Sequence, residues 1–259
     1  MLPLNDVSPS KEAGGNQTPR TARYLPAGDR ALSVEFGSTI SEDLNQRVLQ
    51  FDNLLRKACL PGIVETVPSY RALLVYYDPL VIEYEDLVEQ LRRWEVEIAP
   101  QVVEPPRLVE IPCCYVPELG FDLMAVGTQH GLTAQDVIRI HSSAHYITYF
   151  IGFAPGFPYL GGLPEEIFTP RLVRPRDKIP AGSVGIGGGQ CTIYSVESPG
   201  GFWILGRTPL RLYDPSASQP VLLRAGDRIR FHPVDRAEYE QMYRSVAAGT
   251  FRTNIQESA

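Results

Sequence analysis

The first half of the chain alternates strand-like and helix-like runs of apolar residues. Between residues 31 and 36, apolar and polar side chains alternate, as in a half-buried strand. After Ser41, an N-cap residue, apolar side chains recur every three or four positions until Pro61, which predicts an amphipathic helix. Similar patterns predict, in chain order, strands at 63–68 and 71–78 and a helix at 84–94. A closing strand within 95–111 would complete a ferredoxin-like βαββαβ unit.

The second half of the chain has a different pattern. Thr133, followed three residues later by Asp136, matches a capping box and predicts the start of a helix. From Tyr146 onward, short β-prone runs alternate with glycine and proline, which predicts a β-sandwich or a β-barrel. Residues 235–248 predict a terminal helix. Two consecutive prolines within 101–106 can continue neither a helix nor a central strand, so we expect a linker there.

Composition narrows the range of functions. The 259 residues are 44% hydrophobic and 21% charged, as in a globular protein, and the net charge of −6 removes the attraction on which nucleic-acid binding depends. No apolar run approaches the roughly 20 residues that span a membrane, and the N-terminus lacks the apolar core of a secretory signal. The four cysteines have neither disulfide-framework nor zinc spacing. We therefore expect a cytoplasmic protein with reduced thiols and no nucleic-acid or membrane partner.

Candidate chemistry is concentrated between residues 141 and 208, in three segments. A loop rich in glycine, proline and aromatic residues at 152–162 fits either a pocket wall or a plug at one end of a barrel. Four cations fall within 171–178 of an acidic chain, and they fit either an anion site or a solvated turn. A turn with paired glycines at 198–209 can present backbone amides to an oxyanion.

No complete catalytic set accompanies these segments. The sequence contains no GxSxG elbow, no HExxH helix and no GK[ST] phosphate loop, and no base lies beside Ser183. His141 and His145 are four residues apart and could share a helix face, but no third metal ligand is found nearby. We therefore predict no metal site in this chain.

The motifs form an ordered set that covers nearly everything after residue 21. They are, in chain order, GDRALxVEFG (28–37), YRALLVYYDP (70–79), His141, GFxPGFxYL (152–160), PRxxxPR (170–176), PAGSV (180–184), the pair Gln190 and Tyr194, and SPGG…W…GRTP (198–209). The set resembles one family, the B subunit of prokaryotic ATP-dependent 5-oxoprolinase. This family is also labelled allophanate hydrolase subunit 1 and includes an inhibitor of a sporulation histidine kinase. The chain departs from it in placing Phe202 before Trp203 and in its glycine-rich segment at 185–189.

The resemblance implies the fold and the organisation of the chain. We expect an α+β protein with a flexible tail at 1–21, an N-terminal ferredoxin-like βαββαβ domain at 22–103 and a C-terminal cyclophilin-like β-barrel domain at 104–259. The resemblance also implies a non-autonomous hydrolase subunit, whose complex opens 5-oxo-L-proline to L-glutamate with ATP and accompanying Mg²⁺. Its partners would be a C subunit of related barrel fold and an A subunit, and ATP need not bind to this chain.

The matching motifs supply the candidate site residues. We assign proton transfer to His141 and the binding of carboxylate or phosphate to Arg176 and Lys178, the three candidate catalytic residues. The candidate substrate-binding residues are Phe153, Phe157, Tyr159, Arg171, Ser183, Gln190, Tyr194, Gly200, Gly201, Trp203, Arg207 and Thr208. No self-sufficient catalytic set is found among them. We therefore expect one part of a site, or of a subunit interface, that a partner completes.

Two other functions stay open. The corresponding region of urea carboxylase is similar, so a carboxyltransferase-like subunit that acts on urea or allophanate is the second hypothesis. The sequence has no AMKM-type biotinyl-lysine motif, so a separate carrier would be required. The third hypothesis is a non-catalytic module that inhibits a histidine kinase through a protein interface.

Overall fold

The computed structural model of the protein describes residues 21–96 and 106–257. The chain divides into two compact units, 1–101 and 102–259. The predicted tail up to residue 20, most of the predicted linker and the predicted boundary at 103/104 lie outside the described residues. Each unit has a hydrophobic core of its own.

The described part of the N-terminal unit packs two helices against one face of a four-stranded sheet. Its elements are β1 (Arg23–Pro26), β2 (Ala31–Glu35), α1 (Glu42–Ala58), β3 (Ile63–Pro68), β4 (Ala72–Tyr77) and α2 (Tyr84–Val96). The strands lie in the order β1-β2-β4-β3, and every neighbouring pair is antiparallel. The apolar faces of both helices share one core with the inner face of the sheet.

Helix α1 begins at the predicted N-cap. The Ser41 hydroxyl accepts a hydrogen bond from the Leu44 amide at 3.3 Å, and two acidic residues occupy the first turn, near the positive end of the helix dipole. At the other end, Cys59 adopts a left-handed conformation with φ of +47°, and its amide donates to the Leu55 carbonyl. The sequence pattern therefore located this helix and its start from local chemistry.

The expected closing strand is not found in this sheet among the described residues. The edge beside β2 is occupied by β1, which precedes it in the chain, so the described order is ββαββα. Within the range 95–111, residues 95–96 end α2, and residues 107–111 begin a strand of the other unit. That strand is mostly buried along its length, which suits a covered position in a barrel better than the edge of a sheet.

The described residues of the C-terminal unit form a closed seven-stranded β-barrel with three α-helices. The barrel strands are β5 (Arg107–Cys114), β6 (Tyr146–Ile151), β7 (Pro158–Gly161), β9 (Ser183–Gly187), β10 (Gln190–Ile193), β12 (Trp203–Arg207) and β13 (Arg228–Val234). The other strands are β8 (Arg176–Ile179), β11 (Ser198–Gly200) and β14 (Ile255–Glu257). The helices are α3 (Leu123–His130), α4 (Ala134–Ser143) and α5 (Arg236–Ala247).

The ring of strands closes where β12 meets β5. The order is β12-β9-β10-β7-β6-β13-β5, and Arg207 on β12 pairs with Cys114 on β5. Strand β14 pairs with the first residues of β5, and β8 and β11 form a separate two-stranded ribbon. This closed barrel and the mixed α and β content agree with the predicted cyclophilin-like barrel.

Local sequence chemistry also sets the starts of α4 and α5 in this unit. Helix α4 starts with the predicted capping box, in which the Thr133 hydroxyl and the Asp136 carboxylate each accept from the other's backbone amide. Helix α5 starts with a second capping box, formed by Asp235 and Glu238. Within 21–96 and 106–257, none of the helices has the length and apolar character required to cross a membrane.

Candidate functional site on the outer face of the barrel

Many of the predicted site residues lie on the outer face of one side of the barrel. Side chains alternate along a strand, and Val184 and Ile186 of β9 lie in the barrel core. The alternate residues of the same strand, Ser183, Gly185 and Gly187, therefore point outward. The neighbouring strands contribute outward residues in the same way, and the segments that precede β7 and β8 cover them. We call this surface the outer face.

Two glycines of β9 make the outer face flat enough for large side chains to lie on it. A Cβ atom on Gly185 would lie 3.0 Å from Ile204 Cδ1 and 3.1 Å from Phe202 Cβ. A Cβ atom on Gly187 would lie 3.0 Å from Arg171 Cγ and 3.1 Å from Phe202 Cδ1. The glycine-rich segment at 185–189, one of the departures from the family pattern, thus includes the floor on which Phe202 and Arg171 rest.

An aromatic cluster occupies the centre of the outer face. The rings of Phe157 and Tyr194 meet edge to face at 5.3 Å between centroids, and Tyr159 meets Phe157 at 5.4 Å. Phe202, which the sequence motifs did not assign to the site, packs against Tyr194 at 6.4 Å. Burial raises the pKa of Tyr194 to about 12, so its hydroxyl keeps its proton at neutral pH. These four aromatic residues therefore form a small core cluster on this side of the barrel, in which Phe157, Tyr194 and Phe202 are buried.

Phe153 stands at the edge of this cluster in an uncommon backbone conformation. Its φ is +65°, in the left-handed region that non-glycine residues rarely adopt, and 64% of the residue is exposed. The turn around it is fixed by the Gly152 amide, which donates to the Phe157 carbonyl at 3.0 Å. Its ring meets that of Phe157 at 5.1 Å. A strained loop that exposes a large aromatic ring is a candidate contact point.

Arg171 lies over the aromatic cluster. Its guanidinium carbon is 4.7 Å from the centroid of the Phe202 ring, a cation–π contact. Its Nη2 donates to Oε1 of Gln190 at 2.7 Å, which joins two of the predicted residues directly. The Arg171 side chain is otherwise exposed, so it presents a fixed positive charge at the surface.

Arg176 is held more tightly than the sequence indicated. Its Nη2 donates to Oδ1 of Asp122 at 2.7 Å, and its Nη1 donates to the Phe202 carbonyl at 3.3 Å. The Phe121 ring lies 4.9 Å from its guanidinium carbon. Sequence reasoning missed both Phe121 and Asp122, because an aspartate near the start of a helix is ordinarily taken as a cap.

Lys178 has a weaker setting, although it lies on the same strand. Its side chain is 77% exposed, and its only ion pair among the described residues is with Glu197, at 3.1 Å on the surface. Exposed pairs of this kind contribute little, because water screens both charges. The structure therefore brings Arg171 and Arg176 to the aromatic cluster and leaves Lys178 in solvent at its side.

The turns that carry Gly200, Gly201 and Trp203 pack against the same face. A Cβ atom on Gly200 would lie 2.0 Å from the Tyr194 hydroxyl, so the absence of a side chain there lets the aromatic ring fit. Trp203 Nε1 donates to the Pro170 carbonyl at 2.7 Å, which ties β12 to the start of the cationic segment. Gly200 and Gly201 therefore shape the outer face, whereas Trp203 packs against the barrel core beside Ile186.

Ser183, Arg207 and Thr208 lie together where β9 begins and β12 ends. Ser183 and Arg207 are direct cross-strand neighbours. Ser183 is fully buried, and neither its Oγ nor Arg207 Nε has a hydrogen-bond partner within the described residues. Thr208 is also buried, and its Oγ1 accepts from the Leu210 amide at 3.2 Å. A bound substrate would not reach Ser183 or Thr208 in this conformation.

His141 lies in the barrel interior, away from the outer face. It is fully buried, with Nδ1 2.8 Å from the Tyr115 hydroxyl and Nε2 3.5 Å from the Cys191 sulfur. Its ring packs against Phe231 at 4.5 Å between centroids. Burial lowers the pKa of His141 to about 3, so the imidazole is neutral at pH 7. This geometry is that of a core histidine and lends no support to the predicted proton transfer to a bound molecule, which stays a prediction.

The possible metal pair of histidines is separated by the end of helix α4. His141 is buried within the helix, whereas His145 follows the C-cap residue Ala144 and is exposed. Over residues 21–96 and 106–257, no group of three or more histidine, cysteine, aspartate or glutamate side chains could hold a metal ion.

The chain belongs to a known class of protein domain. Residues 22–223 match the family described as carboxyltransferase domain, subdomain C and D. A solved structure of the K. lactis urea amidolyase has the same fold, with a TM-score of 0.76 and 24% identity. That likeness covers 92% of this chain and 16% of the larger chain, and at this level of identity it concerns the fold alone.

Two relatives match the chain over most of its length. It is 38% identical over 231 residues to the 5-oxoprolinase B subunit of Bacillus subtilis, a match that covers 85% of this chain and 96% of that protein. It is 39% identical over 213 residues to the 5-oxoprolinase B subunit of Escherichia coli O157:H7, a match that covers 82% of this chain and 96% of that protein. The chain therefore belongs to the family of 5-oxoprolinase B subunits.

Proposed function

We propose that this chain is a non-autonomous subunit of an ATP-dependent 5-oxoprolinase, whose complex opens 5-oxo-L-proline to L-glutamate. The observation that carries the proposal is the identity of 38–39% over 96% of the length of two proteins named as B subunits of 5-oxoprolinase. The partners would be an A subunit, together with a C subunit of related barrel fold. The outer face would be the part of the chain that contacts substrate or partner.

The chemistry of lactam opening fits the charge on the outer face. The substrate carries a carboxylate. Transfer of a phosphoryl group from ATP to the lactam oxygen adds further negative charge. Guanidinium groups bind such anions through paired N–H donors. Arg171 and Arg176 supply these donors, and the rings of Phe202 and Phe121 lie 4.7 and 4.9 Å from their respective guanidinium carbons.

ATP and the accompanying Mg²⁺ are assigned to the complex, and they need not bind to this chain. The sequence carries no GK[ST] phosphate loop. The part of the chain that the structure describes gathers no carboxylate group suited to Mg²⁺. We therefore derive no phosphoryl-transfer step from residues of this chain, and we assign it only the holding of an anionic group and the shape of one wall.

Reconstitution tests the proposed function. The purified chain is mixed with the A and C subunits of the same organism, and ADP and glutamate are measured with 5-oxoproline as substrate. We expect both products in equal amounts from the full mixture and neither when this chain is omitted. A folded complex of all three subunits that forms no glutamate would disprove the proposal.

The second candidate is a carboxyltransferase-like subunit that acts on urea or allophanate. The match of residues 22–223 to the family described as carboxyltransferase domain, subdomain C and D, favours it. The same mixture, supplied with urea, bicarbonate, ATP and a biotinylated carrier, distinguishes the two. Carboxylation of urea without glutamate formation from 5-oxoproline would favour this candidate over the first.

A further inference from the structure

Asp122 directs its carboxylate away from the helix that it precedes. It occupies the N-cap position of α3, yet it makes no side-chain capping hydrogen bond there. Its Oδ2 instead accepts from the Ile204 amide at 2.7 Å, and the Asp122 amide donates to the Ile204 carbonyl at 3.0 Å. The side chain is only 8% exposed. Asp122 is therefore fixed to β12 on both its backbone and its side chain.

The second carboxylate oxygen of Asp122 holds Arg176. Its Oδ1 accepts from Arg176 Nη2 at 2.7 Å, while the Phe202 carbonyl and the Phe121 ring contact the same guanidinium. A guanidinium has five N–H donors. Within the described residues, two of these five have hydrogen-bond partners. The Arg176 side chain is 32% exposed, so the remaining donors of a fixed fork can meet a ligand that approaches the outer face.

We propose that Asp122 is the positioning residue for Arg176, and that it aims the free N–H donors of Arg176 at the carboxylate of the substrate. The proposal rests on the proposed function, because it assigns a role within the same site. The Asp122 carboxylate offsets the positive charge of Arg176, so the pair as a whole has no net charge. Recognition of an anion by Arg176 then depends on the direction of its donors, and direction is what Asp122 supplies.

Steady-state kinetics on the reconstituted complex test this role. Asp122→Asn keeps the size of the side chain but loses one acceptor oxygen, so it cannot serve Ile204 and Arg176 as before. We expect KM for 5-oxoproline to rise at least tenfold in Asp122→Asn, while KM for ATP changes less than twofold. Asp136→Asn is the matched control, since Asp136 pairs with Arg139 on the exposed surface of α4, and it should retain wild-type constants.

A double-mutant cycle separates positioning from a purely structural role. If Asp122 acts through Arg176, Asp122→Asn should cost less than twofold in kcat/KM when Arg176 is already alanine. Independent effects that multiply in the double variant would overturn the proposal. The midpoint of thermal unfolding, measured for each variant, shows whether a loss of rate follows a loss of folded protein.

A spectroscopic measurement keeps the inference testable without turnover. In nitrogen-15 NMR spectra of the full chain, a guanidinium held by a carboxylate gives separate, slowly exchanging Nη–H signals. We expect such signals for Arg176, assigned by their loss in Arg176→Lys, to disappear in Asp122→Asn and to persist in Asp136→Asn. Unchanged Arg176 signals in Asp122→Asn would overturn the proposal. An inactive wild-type complex would instead count against the proposed function, and the NMR comparison would still decide the role of Asp122.

Discussion

The Tyr115 hydroxyl lies 2.8 Å from Nδ1 of His141 inside the barrel, where neither residue reaches the outer face. Burial lowers the pKa of His141 to about 3 and raises that of Tyr115, so both groups are neutral at pH 7. A protonated hydroxyl beside a neutral imidazole can donate to Nδ1, which leaves Nε2 to face the Cys191 sulfur at 3.5 Å. The histidine of the family motif thus organises polar groups within an apolar core.

The burial of His141 predicts a pH dependence of stability. The imidazole titrates near 6.5 in the unfolded chain and near 3 in the folded protein. Between these values the unfolded chain binds more protons, so the free energy of unfolding falls as the pH falls from 6.5 toward 3. The loss from this residue approaches about 1.4 kcal/mol per pH unit, or roughly 2 kcal/mol between pH 6.5 and pH 5. Urea denaturation at several pH values measures it.

The comparison with two variants isolates the contribution of His141 from that of the acidic residues. Between pH 6.5 and pH 5, the free energy of unfolding of His141→Gln should fall by roughly 2 kcal/mol less than that of the wild type. This difference does not depend on the stability of the variant at pH 7. His145→Gln changes an exposed position beyond the helix, so its free energy of unfolding should vary with pH as steeply as that of the wild type. Equal slopes in the wild type and in His141→Gln would show that the folded-state pKa is not lowered.

The neighbouring glycines Gly200 and Gly201 should respond differently to the same substitution. A methyl group on Gly200 would lie 2.0 Å from the Tyr194 hydroxyl, and that ring is buried against Phe157 and Phe202. A methyl group on Gly201 meets nothing closer than 3.5 Å. We expect Gly200→Ala to destabilise the protein by about 1–3 kcal/mol in urea denaturation, and Gly201→Ala to change the stability by less than about 0.5 kcal/mol.

Removal of the Tyr194 hydroxyl should relieve part of the clash. In a Tyr194→Phe background, the nearest ring atom is the former hydroxyl-bearing carbon, at 2.8 Å from the added methyl group. Gly200→Ala should therefore cost less there than in the wild type, and the difference measures the coupling of the two positions. The same cost in both backgrounds would show that Gly200 is required for another reason.

Local patterns sufficed for much of the fold. The caps at Ser41 and Thr133 and the periodicity of α1 act within a few residues, so the sequence reveals them directly. The fourth strand of the N-terminal sheet is different. Either β1 or a later segment could pair with β2, and in the structure β1 does so. This choice depends on tertiary packing, which local sequence patterns do not show. The apolar strand Arg107–Cys114 could have indicated the barrel, since its residues do not alternate between buried and exposed positions as in a half-buried strand.

The sequence indicated which segments carry the candidate site, but not which of their side chains are buried. The cationic segment and the aromatic loop lie on one face, because Arg171 contacts Phe202 and Phe157 contacts Tyr194, and the rings of Phe202 and Tyr194 pack together. The burial of His141 had an unused signal, because it follows Val137 by four residues on the buried face of α4. No sequence signal indicated the role of Asp122, since a helix-capping aspartate and an arginine-binding aspartate look the same in sequence. Only the approach of α3 to β12 distinguishes them.

Arg176 and Lys178 should differ in their importance for activity. Arg176 is fixed by a carboxylate, a carbonyl and a ring, whereas Lys178 is exposed beside Glu197. In the reconstituted complex, we expect Arg176→Ala to lower kcat/KM for 5-oxoproline at least tenfold and Lys178→Ala to lower it less than threefold. Arg176→Lys should behave like alanine, because an ammonium cannot reproduce the planar fork. A larger loss for Lys178→Ala would reverse this ranking and move the anion site toward the ribbon edge.

The four cysteines should divide into one reactive thiol and three protected ones. Cys59 is exposed at the end of α1, whereas Cys113, Cys114 and Cys191 are buried. Burial raises the pKa of each of these three thiols, which further lowers the fraction of reactive thiolate at neutral pH. Ellman's reagent should therefore label one thiol rapidly in the native protein and four in denaturant. Cys59→Ser should abolish the rapid phase and Cys114→Ser should retain it. A second rapid equivalent in the native wild type would mean that the barrel opens readily near β5 or β10.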